Sequence, residues 1–148
     1  MTVGEGTQQT EEWLQRQFPG LLVVRVDRDS TRRQGSFEKL YAQVEQSDAA
    51  LLIGTQMLAK GHHFPKVTLA VIVDAGSGLF AADFRAHERF AQLLLQVAGR
   101  SGRGDSLGRV LVQSHQPDHP LLTAVAAGDY QEIGRTLLAQ RQLTDMPP

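Results

Sequence analysis

Cysteine is absent from the 148 residues, which excludes disulfides and thiolate metal sites and leaves the redox compartment unmarked. Charge of one sign is also missing: 15 Lys and Arg against 16 Asp and Glu give a formal net charge of -1, so no global basic field draws in nucleic acid and any such contact must be local. No apolar run approaches the ~20 residues that span a bilayer, and the first residues lack a charged-then-apolar leader pattern, so a cytoplasmic location is expected. Glycine-Lys-Ser/Thr is missing too. Lys39, Lys60 and Lys66 follow Glu38, Ala59 and Pro65, so no phosphate-cradling P-loop is present, and there is no acidic D-E-x-H box for Mg²⁺.

What is present is ordinary for a globular domain: 41% hydrophobic and 21% charged residues, far from disordered compositions. A helix is expected from a Thr7 cap to about Phe18, with Trp13, Leu14 and Phe18 buried, stopped by Pro19-Gly20. Leu21 to Val26 is a continuous apolar run, the pattern of a strand covered on both faces. Phe37, Leu40, Tyr41 and Val44 define one helical face. Ala49 to Ile53, Val67 to Val73 and Arg109 to Gln113 read as further strands, the Val67 run as a buried one. A glycine-containing loop follows Asp74, then Ala86, Phe90, Leu93, Leu94 and Val97 mark a helix; short helices are expected near Leu121 to Ala127 and Tyr130 to Arg141. Strands alternating with helices predict an α/β domain in which one mainly parallel sheet is flanked by helices.

Two segments carry chemistry. In Gln96-Val97-Ala98-Gly99-Arg100-Ser101-Gly102-Arg103 two arginines sit three apart just after a helix. Guanidinium forks match phosphate oxygens and glycines allow close approach, although a solvated basic turn after a helix has the same composition. Upstream, Gly54-Thr55-Gln56-Met57-Leu58-Ala59-Lys60-Gly61 begins at the carboxyl end of a strand, where ligands of open α/β sheets collect. Thr55 offers a hydroxyl and an amide to a phosphate, and Lys60-Gly61 adds charge with room; a plain cap with a solvated lysine is the structural alternative.

The Q-x-x-G-R-x-G-R pattern resembles motif VI of superfamily 2 helicases. The run from Gly54 to Pro65 resembles motif V of one family within them, the primosomal replication-restart helicases. Gly4-x-Gly6-Thr7, Arg25-x-Asp27-x-Asp29-Ser30-Thr31, the stretch Gly78 to Arg89 and Gln113 to Pro120 are similar to further elements of that family. The chain departs from the family at Gln8, where glutamate is usual, and at Gly76. The resemblance implies that residues 1–148 form one domain, the second, C-terminal RecA-like lobe of a larger ATP-dependent 3′-to-5′ DNA helicase acting in replication restart and primosome assembly. It implies catalytic and nucleotide-binding roles for Gln96, Arg100 and Arg103, with Gly99 beside the nucleotide, and DNA contacts at Thr7, Gly54, Thr55, Lys60 and Gly61. ATP and Mg²⁺ would lie between two lobes, with neither bound by this chain alone, and the partners would be DNA, the first lobe and primosome proteins. The family's cysteine-bound zinc module has no counterpart here.

Rival constellations are weaker. His62, His63, His87, His115 and His119 lack a completing carboxylate, and Pro117 breaks the His115–His119 spacing, so no metal site is expected. Ser77 lies between adjacent glycines rather than in a nucleophile elbow, and reads as part of a turn. A free-standing, non-catalytic DNA- or partner-binding remnant of a helicase lobe is the alternative function. An upstream P-loop lobe in the same reading frame would exclude it.

Overall fold

The computed structural model describes residues 5–27, 36–56, 58, 64, 66–79, 83, 85–99 and 108–146. It divides into two compact units, residues 1–62 and 63–148. The first holds α1 (Glu5–Gln17), β1 (Leu22–Val26), α2 (Ser36–Gln46) and β2 (Ala50–Gly54). The second holds β3 (Leu69–Ile72), α3 (Ala75–Leu79), α4 (Ala86–Ala98), β4 (Arg109–Val112), α5 (Pro120–Ala127) and α6 (Tyr130–Leu143).

Both strand pairs are parallel, so the α/β class read from alternating strands and helices is what the chain adopts. Among the described residues the strands pair as β1–β2 in the first unit and β3–β4 in the second. No helix among the described residues is long and apolar enough to cross a membrane.

In the first unit, α1 packs on β1 and β2, and Val23, Val24 and Val26 are buried. The burial expected along α1 is corrected. Trp13 is 57% and Phe18 47% exposed, because the inward stripe is Thr7, Glu11 and Leu14, spaced i, i+4, i+7, and Trp13 lies one residue off it. Thr7 is the third residue of α1 rather than its cap. α2 matches its periodic face, although that face is only half-buried.

In the second unit a core forms around Leu79, Phe90, Leu94, Leu121 and Ile133. Residues 75–79, expected as loop, form α3: Gly76 and Gly78 depress helix propensity, but α3 packs on α4 and buries Ala75 and Leu79. A Cβ on Gly78 would lie 2.5 Å from the Phe90 ring, so the glycine lets the two helices close. β3 is also corrected. Ala70 and Ile72 are half-buried, whereas Leu69, Val71 and Val73 are exposed, since only the even-numbered face turns toward the core of this unit.

Candidate functional site

Helix α4 positions the first segment. Phe90, Ala91 and Leu94 fix its inner face in the core, which turns Arg89, Gln92 and Gln96 outward, spaced i, i+3, i+7. Gln96 is exposed two residues before the helix end. Gly99 closes α4 with φ -70° and ψ -11°, and its N–H donates to Leu95 O at 2.9 Å. It is therefore helical rather than left-handed. A Cβ there would crowd Leu95 O at 3.3 Å. Arg100 and Arg103 lie outside the described residues.

The amino end of α4 is pinned by charge. Asp83 Oδ1 accepts from the Arg85 N–H at 2.9 Å, and Asp83 Oδ2 pairs with Arg89. Arg85 reaches Glu88 with Nε at 3.2 Å and Nη2 at 3.1 Å, and Arg141 of α6 bonds the same carboxylate. The hydrogen bond from Arg85 chiefly, with the charges of both arginines, holds the Glu88 carboxyl below the usual carboxylate range against the opposing effect of burial. An ionised Glu88 thus ties α6 to the helix that carries Gln96.

A second tie is made by histidine. His119 caps α5, its Nδ1 accepting from the Leu121 N–H at 3.2 Å, and its ring lies 5.6 Å from that of His87. Burial, with a smaller contribution from His87, pushes the His119 pKa down. The depressed base contributes stability that is intact above the unfolded value of ~6.5 and lost as pH falls through the folded value. Thermal melts from pH 8 to pH 5 are expected to show a falling Tm, and His119→Asn, which keeps a cap acceptor without a titrating ring, is expected to flatten that fall. An equal fall in both proteins contradicts this assignment.

In the first unit the second segment begins where β2 ends. Val26 pairs in register with Gly54, the last rung of the β1–β2 ladder. A Cβ on Gly54 would sit 2.7 Å from Val26 O and 2.9 Å from Leu58 Cβ, so only glycine fits between the strands and the returning chain. Thr55 follows, exposed, and its carbonyl accepts from the Leu58 N–H at 3.0 Å, closing a turn at the carboxyl end of the sheet. Gly54 and Thr55 are thus placed together at a strand end. Thr7 sits on the half-buried stripe of α1, and Lys60 and Gly61 lie outside the described residues.

Sequence reasoning left Arg25 and Asp27 without a role. Arg25 Nη1 lies 3.0 Å from Asp27 Oδ2, and Arg25 Nε lies 3.2 Å from Glu11 Oε2 on α1. The alternation of Arg25 and Asp27 puts both on one face of β1, a signal present in the sequence; the partner on α1 required the packing.

No family model matches the chain. It is 52% identical over all 148 of its residues to the replication restart protein PriA of Haemophilus influenzae, spanning 20% of that protein. It is 46% identical over 145 residues to replication restart protein PriA of Chlamydia pneumoniae and 40% over 145 to that of Bacillus subtilis, spanning 19% and 18% of them. The match runs through the Gly54–Gly61 and Gln96–Arg103 segments alike, since at least 98% of the chain is aligned each time. By sequence the chain therefore belongs to the PriA family of replication restart proteins, of whose curated members it spans 18–20% of the length.

Proposed function

We propose that this chain is the second RecA-like motor lobe of an ATP-dependent 3′-to-5′ DNA helicase that acts in replication restart and primosome assembly. The observation that carries this reading is the outward face of α4, which presents Gln96 and Gly99 at its carboxyl end immediately before Arg100 and Arg103 in sequence. A glutamine on that face, followed in sequence by two arginines, suits phosphates held by something else, and the chain has no P-loop of its own. In this reading ATP and Mg²⁺ bind on a first lobe, and Gln96 orients the attacking water. Arg100 and Arg103 neutralise charge on the departing phosphoryl group. Gly54, Thr55, Lys60, Gly61 and Thr7 grip the backbone of one DNA strand, so that opening and closing of the nucleotide cleft moves the strand. Primosome proteins are the further partners.

The DNA part is testable on the chain itself. A few phosphate contacts and a net charge of -1 mean weak binding of single-stranded DNA. Lys60 is the one cation among these contacts, so affinity read by fluorescence anisotropy is expected to fall roughly two- to threefold between about 50 and 200 mM salt. Tight binding indifferent to salt contradicts the proposal.

A further inference from the structure

The Arg25-x-Asp27 element is the motif that the proposed function leaves unused, and the structure gives it a place. Asp27 is 8% exposed, the one buried charged residue among those described, and it stands one residue beyond the last rung of β1. A buried carboxylate is costly unless paired, and its pairing with Arg25, itself tied to Glu11 of α1, fixes the side chain against the helix. A line of charge thus runs from α1 along one face of β1 to the carboxyl edge of the sheet.

On the neighbouring strand Thr55 stands at the equivalent point, one residue past the same rung. The two strand ends have no slack between them: Gly54 leaves no room for even a methyl group beside Val26 O. Packed contacts of this kind transmit displacement rather than absorb it. A shift of Val26–Asp27 is passed to Gly54–Thr55.

We infer that Asp27, held by Arg25, is a positioning residue for Thr55. It fixes the carboxyl edge of β1 so that the Gly54–Thr55 turn presents the Thr55 hydroxyl and N–H to a nucleic-acid phosphate. The inference rests on the reading of Thr55 as a DNA-backbone contact. A merely stabilising ion pair differs in its consequences: it lowers Tm without singling out Thr55.

The test is a double-mutant cycle in the full chain with Asp27→Asn and Thr55→Ala. A fluorescein-labelled oligothymidine reports binding at low salt, and amide exchange at Thr55 reports local order. Asp27→Asn is expected to weaken binding about fivefold when Thr55 is present and not at all in the Thr55→Ala background, a coupling in the range of residues that share a contact. Exchange at the Thr55 amide is expected to rise about tenfold as the turn opens locally. Equal losses in both backgrounds, or unchanged exchange at Thr55, overturn the inference. If Thr55→Ala alone leaves binding intact, the DNA-contact reading falls, and the Thr55 exchange rate then decides the positioning role: faster keeps it, unchanged ends it. Arg25→Lys keeps the charge but loses the fork that reaches both carboxylates, and should reproduce the pattern if Asp27→Asn does not fold.

Discussion

Replacing Arg100 or Arg103 by alanine, in a protein of the length of the PriA relatives, is expected to lower the turnover number for ATP by roughly three orders of magnitude. The size follows from where the charge develops. As the terminal phosphoryl group departs, negative charge spreads over oxygens that Mg²⁺ does not fully neutralise, and a guanidinium fork is the group that fits them in a plane. The ground state gains less from the same contact, so KM is expected to change much less than kcat. Lysine is not expected to rescue turnover, because a point charge cannot bond two oxygens at once. Steady-state ATPase assays at saturating DNA check this. Two alanine variants that keep near wild-type turnover would end the motif VI assignment.

The second large effect concerns stability, and it contrasts two faces of α4. Leu94 is 2% exposed within the core of the second unit. Truncating it to alanine removes buried methyl groups and leaves a cavity whose lining cannot fully collapse, at a cost of about 2–5 kcal/mol. That is a large part of the ~5–15 kcal/mol that holds a domain together. Gln96 lies two residues further on the exposed face, and Gln96→Ala is expected to change stability by no more than ~0.5 kcal/mol. In the longer protein the proposed role of Gln96 in orienting the water reverses the order, and Gln96→Ala is expected to slow hydrolysis. Urea titrations of both variants measure the first half of the contrast. A Leu94→Ala variant as stable as the parent contradicts the packing described for α4.

Periodicity made much of this legible. The runs at Leu21, Ala49 and Arg109 each mark a strand to within a residue or two, and Phe90, Leu94 and Val97 place α4 together with the outward position of Gln96. Local pattern could not say which strands pair, since that depends on contacts far apart in sequence. It also overcounted apolar burial: Trp13 and Phe18 are large and apolar, yet the stripe toward β1 is set by helix phase and includes Glu11, whose partner Arg25 comes from another element. α3 escaped notice because two glycines hide a helix that packing, not propensity, sustains. Of the site, Gly54 was legible as a strand-end glycine, but its reason, the 2.7 Å approach to Val26 O, is a tertiary fact.

The proposed role of the chain is to complete a nucleotide site whose cradle lies on another lobe. Its most direct test is ATPase activity of this chain, alone and mixed with a separately produced P-loop lobe of the same family, in the presence of Mg²⁺ and single-stranded DNA. The chain alone is expected to show no hydrolysis above background, having neither P-loop nor acidic box. The mixture is expected to exceed the P-loop lobe alone, with the gain abolished by Arg103→Ala. Hydrolysis by the lone chain, or a gain that survives Arg103→Ala, would contradict it.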